Sequence, residues 1–418
     1  MQKTPRGLRV HIGIFGRRNV GKSSLLNAVT RQDVAIVSPQ AGTTTDPVEK
    51  PMEMLPLGPV LFIDTAGIDD EGALGALRVR RTRQVFDRTD LGILVTEAGS
   101  WGVFEDRILG ELQARGIPVV VVMNKIDVET PSTDAFHSLS LRGVRVVCTS
   151  TLSGEGIFSL RQALLDSIPA SFLDTPSIAA DLVGPGGMAV LVVPIDKEAP
   201  KGRLILPQVQ TIRDLLDHDC FSLVVKEREL RLALERLKSP PALVITDSQV
   251  FLKVAADVPP PIPMTSFSIL FSRFKGDLLT QVEGALAIDS LKEGDRILIA
   301  EACSHHPIAD DIGRVKIPRW LTQYVGVKLQ FQHIQGHDFP EDLDAYGLVI
   351  HCGACMINRR EMLSRILQCR RVGVPVTNYG VVIAYSLGIL ERALEPFPSA
   401  RDLYRQARLA RGAPGGLP

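Results

Sequence analysis

Two short stretches hold the side chains best suited to chemistry: Cys303-Ser304-His305 and, further along, His351-Cys352-Gly353-Ala354-Cys355. Three thiols and two imidazoles make a metal site in outline. Thiolate softness suits either a structural zinc ion or a cubane iron–sulfur cluster. The C-x-x-C pair alone would also fit a redox dithiol, but a third cysteine and two adjoining histidines go against that. The plainer alternative is that Cys303, Cys352 and Cys355 are buried thiols acting as small hydrophobes.

Each stretch follows an apolar run that must position it. Arg296-Ile297-Leu298-Ile299-Ala300 leads into the first and Gly347-Leu348-Val349-Ile350 into the second. A third run, Gly373-Val374-Pro375-Val376-Thr377, ends at Asn378-Tyr379-Gly380. Short aliphatic runs bounded by turn residues predict buried strands of a parallel sheet. Ligands of such sheets bind at the carboxyl edge of the strands, so the thiols are expected to converge on one crevice. Helical patterns at Leu278 to Ile288, Trp320 to Val325, Glu361 to Leu367 and Val381 to Leu394 alternate with these strands. Ligands hung from an already competent scaffold favour a functional site over one that the metal itself folds.

A second set of chemical residues opens the chain. The apolar strand Leu8 to Phe15 runs into Gly16-Arg17-Arg18-Asn19-Val20-Gly21-Lys22-Ser23-Ser24, a G-x-x-x-x-G-K-S phosphate loop between strand and helix. Its glycines let backbone N–H groups curl around phosphates, and the following helix adds its dipole. Lys22 reaches the terminal phosphates and Ser23 a Mg²⁺ ion. The strand Leu61-Phe62-Ile63 ends in Asp64-Thr65-Ala66-Gly67, where Asp64 holds the magnesium shell and Gly67 meets the γ-phosphate. The strand Val119 to Met123 ends in Asn124-Lys125-Ile126-Asp127. The Asp127 carboxylate can accept from both guanine N1–H and the exocyclic amine, and adenine would leave it unpaired. Val144 to Val147 leads to a further base-contacting loop with Ser150 and Thr151. Together these motifs predict GTP hydrolysis.

Gly42-Thr43-Thr44-Thr45-Asp46 lies in the polar loop between the first two motifs. With it, this region resembles the TrmE, Era and EngA group of GTPases, and that resemblance implies Thr44 as a magnesium ligand and Asn19 as a K⁺ contact. Ile68 stands where small Ras-like GTPases place a water-orienting glutamine. Isoleucine cannot orient water, so slow hydrolysis, stimulated by K⁺, is expected.

With 418 residues, 45% hydrophobic and 22% charged, the chain is an ordinary soluble composition of two or three domains. Lys+Arg and Asp+Glu are equal at 47, which gives no global electrostatic case for nucleic acid or an anionic membrane. Six cysteines make no secreted disulfide framework. Met1 to Arg9 shows no signal-peptide pattern, and no apolar run is long enough to span a bilayer. A cytoplasmic protein with reduced thiols is expected. The fold class is α/β throughout: a P-loop GTPase domain over 1–170, a small α/β dimerisation domain over 171–265, and a parallel-sheet metal-binding domain over 266–418. In the middle domain the runs Met188 to Val193, Phe221 to Val225 and Leu243 to Thr246 read as strands without a recognisable site.

A GTPase region, a motif-poor middle and a terminal C-x-H…H-C-x-x-C pattern resemble the HydF family of [FeFe]-hydrogenase maturation GTPases. The resemblance covers essentially the whole chain. It implies a [4Fe–4S] cluster on Cys303, Cys352 and Cys355, with His305 and His351 either completing the ligation or donating to the cluster. It also implies a homodimer formed by the middle domain and a scaffold role for a transient two-iron precursor. The implied partners are the radical-SAM maturases HydE and HydG, which build the precursor, and apo-hydrogenase, which receives it. The rival reading is a TrmE- or EngA-like GTPase in RNA modification or ribosome assembly with a structural metal.

Overall fold

The structure is a computed structural model and describes residues 5–30, 47–54, 58–65, 82–131, 133–168, 176–194, 204–302 and 311–411. Contacts divide the chain into two compact units, Met1–Thr175 and Pro176–Pro418.

The first unit is built on β1 (Val10–Phe15), β2 (Val48–Met54), β3 (Gly58–Asp64), β4 (Leu91–Glu97), β5 (Val119–Asn124) and β6 (Arg145–Cys148). The strand order is β2-β3-β1-β4-β5-β6. Every pairing is parallel except β2 with β3. Because side chains alternate along a strand, this sheet has two cores. Ile12, Ile14, Val120 and Val122 pack with Leu25 and Leu26 of helix Lys22–Thr30 on one face. Phe15, Leu94, Val121 and Met123 pack with Ile108, Leu109 and Leu112 of helix Val103–Ala114 on the other. Both faces are covered, so β1 and β5 are apolar almost end to end.

The second unit carries two four-stranded, all-parallel sheets. One contains β7 (Met188–Val192), β8 (Phe221–Val225), β9 (Leu243–Thr246) and β10 (Met264–Ser266), ordered β10-β9-β7-β8. The other contains β11 (Arg296–Glu301), β12 (Gln330–Gln335), β13 (Leu348–His351) and β14 (Val376–Asn378), ordered β12-β11-β13-β14. One continuous core joins them: Val190, Leu191 and Ile245 of the first sheet belong to the same cluster as Ile297, Ile299 and Ile350 of the second. On the opposite face of the second sheet, Leu298 and Val349 pack on Met362, Ile366 and Cys369 of helix Arg359–Arg371.

All four expected helices differ in extent, the Trp320–Val325 pattern beginning earlier, at Ile317. The pattern from Val381 to Leu394 is not one helix. It divides into Tyr379–Ser386 and Leu390–Ala393, separated at Gly388, which sits at φ 74°. Helix Leu278–Leu286 passes into a short 3-10 turn over Ala287–Ser290, and the Glu361–Leu367 pattern extends to Arg359–Arg371. Among the described residues no helix is long and apolar enough to cross a membrane.

Candidate functional site

The phosphate loop of the first unit is set by two glycines. Gly16 has φ 145° and a Cβ there would lie 2.2 Å from the Val95 carbonyl oxygen. Gly21 has φ 95°, and its Cβ would meet Asn124 Nδ2 at 2.4 Å. Only glycine allows both the backbone path and the close approach. Asn19, exposed at the top of the loop, adopts φ 62°, a conformation asparagine tolerates better than most residues. Val20 is buried beneath it, and Ser24 lies in the first turn of the helix.

Lys22 Nζ folds back across the loop and donates to the carbonyl oxygens of Gly16 (2.9 Å) and Arg17 (2.6 Å). Ser23 Oγ donates to Asp64 Oδ2 at 2.7 Å, so the two expected magnesium-side residues already meet. Asp64 is 7% exposed, and its Oδ1 is a buried acceptor with no partner among the described residues. Burial first of all pushes this carboxyl up, against the opposing pull of Ser23 and Lys22. A buried carboxylate oxygen left open beside a serine hydroxyl is the donor set a hard cation prefers, so these residues fit Mg²⁺. Thr44 and Gly67 lie outside the described residues.

The base-recognition loops assemble at the ends of β5 and β6. Asn124 is fully buried: its Nδ2 donates to the Val20 carbonyl at 2.9 Å, and its Oδ1 accepts from Thr149 Oγ1 at 3.1 Å. Lys125 takes φ 64° and pairs with Glu97. Asp127 is exposed at the rim, where a base can reach it. Ser150 is buried and accepts from the Ser153 backbone N–H at 3.1 Å; Thr151 beside it is half-buried.

In the second unit the parallel register places Ala300 opposite His351, and His351 opposite Asn378. The chain thus reaches its carboxyl edge at Ala302, Cys352 and Tyr379 together. Cys303 and His305 lie outside the described residues, but Ala302, the residue before Cys303, is fixed to the other half of the motif. Its backbone N–H donates to Cys352 Sγ at 3.1 Å. Ala354 N–H donates to the same sulfur at 3.4 Å, from a backbone held at φ 55°. Cys355 lies beside it, both residues half-buried. Burial raises the pKa of Cys352, while the Ala302 and Ala354 amides lower it; burial and then Cys352 push Cys355 up to about 12.

Among the described residues no group of three or more His, Cys, Asp or Glu is gathered for a metal ion. The fit to a cluster rests instead on donor chemistry. Two half-buried cysteines share one turn, backbone amides point at the sulfur of one of them, and the third cysteine position follows directly from Ala302 in sequence. Amides aimed at sulfur are a recognised feature of cluster thiolates. The thiol protons must be displaced on metal binding. The residues present therefore fit the group.

His351, buried at the end of β13, has both ring nitrogens engaged. Nδ1 lies 3.0 Å from the Cys352 carbonyl oxygen and Nε2 lies 2.8 Å from Arg365 Nη1. A guanidinium only donates, so Nε2 accepts and Nδ1 carries the proton. Burial, then Arg365, holds this imidazole down to about 3. Arg365 itself, 3% exposed, also donates to Glu361 Oε1 and to the Gly336 carbonyl, both at 2.7 Å. His337 Nδ1 lies 3.0 Å from Glu361. Sequence reasoning gave Arg365 no role. Its place one helical turn after Glu361, on the helix that follows the C-x-x-C turn, was the only available signal.

Comparison with known proteins now separates the readings. A family model described as the Hydrogen maturase F dimerization domain matches residues 178–276, and one described as the Hydrogen maturase F tetramerization domain matches residues 279–396. The chain belongs to the hydrogen maturase F family. A third model, described as a 50S ribosome-binding GTPase, matches residues 11–125, the P-loop unit of this maturase F chain. Curated relatives are similar over little more than a third of this chain. The tRNA modification GTPase MnmE of Paraburkholderia xenovorans (strain LB400) is 38% identical over 156 residues, covering 36% of this chain and 33% of the relative. GTPase Der of Campylobacter hominis is 32% identical over 169 residues, covering 38% and 36%. The maturase F chain thus spans about a third of the length of the curated relatives it matches. Among solved structures, Era of Aquifex aeolicus bound to GDP and aluminium fluoride aligns at 22% identity and TM-score 0.35, over 52% of this chain and 93% of that one. At that TM-score the likeness adds nothing to the fold described above.

Proposed function

We propose that this protein hydrolyses GTP to GDP and phosphate and serves in [FeFe]-hydrogenase maturation as a cluster-bearing scaffold. It carries a two-iron precursor as cargo and delivers it to the apo-hydrogenase. The observation that carries the reading is the pairing, in one chain, of a guanine-type nucleotide site with a cysteine-bearing sheet edge inside a maturase F domain.

In the nucleotide site, Lys22 and the loop amides neutralise the phosphates, Ser23 and Asp64 hold the magnesium shell, and Asp127 reads the guanine edge. With isoleucine after the Asp64 motif, turnover is slow, and K⁺ near Asn19 raises it. Equal turnover in K⁺ and Na⁺ buffers would remove the K⁺ contact from this account.

In the second unit Cys303, Cys352 and Cys355 would hold a [4Fe–4S] cluster, which supplies an iron with an exchangeable coordination position for bridging to cargo. The protein's own residues orient the thiols: Ala302 and Ala354 amides fix Cys352, and helix Arg359–Arg371 starts directly after the turn. The family descriptions support self-association, as a dimer and beyond it. HydE and HydG are the expected donors of the precursor, and the compartment is the cytoplasm.

Activation of apo-hydrogenase tests the coupling. Lys22→Ala and Asp127→Ala variants with an intact thiol site should activate less hydrogenase than the unmodified chain. Full activation by both would separate GTP from delivery and overturn the coupling. The matches to MnmE and Der give no comparable support to an RNA-modification role, because they cover only 36% and 38% of this chain.

A further inference from the structure

A scaffold must bind cargo and release it, so the ligand facing the cargo has to be replaceable. A histidine next to a ligating cysteine threatens that arrangement: a free imidazole lone pair beside Cys352 would compete for the open iron. The geometry around His351 removes the threat. Its Nδ1–H is spent on the Cys352 carbonyl at 3.0 Å, and its Nε2 lone pair is covered by Arg365 at 2.8 Å.

We propose that Arg365 is a positioning residue that withholds His351 from the cluster, capping Nε2 and fixing the ring as the brace of the Cys352 carbonyl. The inference rests on the cluster reading above.

Three features make the cap durable. A guanidinium carries only donors, so it caps the Nε2 lone pair and cannot act as an acceptor in its place. Arg365 is further held by Glu361 on its own helix and by the Gly336 carbonyl after β12, both at 2.7 Å, and its guanidinium lies 5.2 Å from the Phe339 ring centroid. All three members of the chain His351, Arg365 and Glu361 are at most 5% exposed. Moving the guanidinium off Nε2 would break charged hydrogen bonds in a buried setting, which is costly. His351 consequently acts on Cys352 through the backbone, and the fourth coordination position is left to His305 or to an exchangeable ligand.

The test is pulsed EPR of the reduced, reconstituted full-length chain, reading directly bound imidazole nitrogen. It is made in a His305→Ala background so that no other motif histidine contributes. With Arg365 intact, no bound nitrogen is expected, and adding His351→Gln should leave the spectrum unchanged. Arg365→Met exposes Nε2, and a bound-nitrogen coupling should appear; a further His351→Gln change should abolish it. Arg365→Lys keeps a donor and should suppress the coupling again, which a loss of packing alone would not explain. The His351→Gln comparison keeps the inference testable should Arg365→Met fail to fold. A His351-dependent nitrogen coupling with Arg365 intact, or no coupling in a folded Arg365→Met chain, overturns the inference while leaving the cluster reading in place. A chain that takes up no cluster at all overturns both.

Discussion

Asn124 Nδ2 donates to the Val20 carbonyl across 2.9 Å, tying the end of β5, where guanine reading is proposed, directly to the crest of the phosphate loop. The same side chain accepts from Thr149 on the next loop, so one buried amide fastens the three segments proposed to contact the nucleotide. Asn124→Ala leaves the Val20 carbonyl and the Thr149 hydroxyl unpaired in the interior, at about 1–3 kcal/mol. Chemical denaturation of the first unit should show that loss together with weaker GTP binding. Asp127→Ala, at an exposed position, should weaken guanine selectivity with a stability change within about 0.5 kcal/mol. Equal destabilisation by both variants would contradict this division of labour.

The Ser23–Asp64 contact predicts a specific magnesium phenotype. Asp64→Asn keeps the shape and the hydrogen bond to Ser23 but removes the charge that faces the cation. Turnover should fall by about 10²-fold, the scale of one lost transition-state electrostatic contact. The Mg²⁺ concentration needed for half-maximal turnover should rise. An unchanged magnesium requirement would show that Asp64 serves the loop and not the ion.

The legibility of the sequence followed burial. Strand β9 is read to the residue because turn residues bracket a continuous buried apolar run, and β1, β11 and β13 are read to within a residue or two. Strand β8 is also read to the residue, from its apolar residues Phe221, Leu223, Val224 and Val225, although it is only partly buried. By contrast β12, Gln-Phe-Gln-His-Ile-Gln, gave no apolar run, because among the described residues it is an edge strand paired with β11 alone. Strand β2 hid behind Pro51 and three charged residues, which an antiparallel edge tolerates. The phosphate-loop and base-loop residues were legible because phosphate and guanine chemistry demand fixed residue types at fixed spacing. The Arg365–His351 contact was not, since it depends on how far helix Arg359–Arg371 reaches back over the end of β13.

Gly284 shows how a residue without chemistry positions the thiol edge. It lies on helix Leu278–Leu286, where a Cβ would fall 2.0 Å from the Val376 carbonyl oxygen of β14. Gly284→Ala must push that helix off the sheet, costing about 1–3 kcal/mol or more. The second unit should melt earlier, while the nucleotide affinity of the first stays the same. A variant as stable as the parent would show that the helix–sheet spacing is looser than described.

Strand β8 ends its sheet with nothing paired on its outer side among the described residues, and it leaves Phe221 61% and Val224 42% exposed. An apolar open edge is a pairing surface. Within the segment matched by the dimerization-domain model, Phe221→Asp should lower the mass measured by light scattering toward that of a single chain. Unchanged mass would move the interface elsewhere.

One chain is proposed to join a GTPase unit to a cluster held by Cys303, Cys352 and Cys355. Anaerobic reconstitution with iron and sulfide measures it most directly. The prediction is a brown protein holding iron and sulfide in equal amounts, with a reduced-state cluster EPR signal that is lost when Cys352 and Cys355 are replaced by alanine. A colourless protein that retains stoichiometric zinc and takes up no cluster would contradict it.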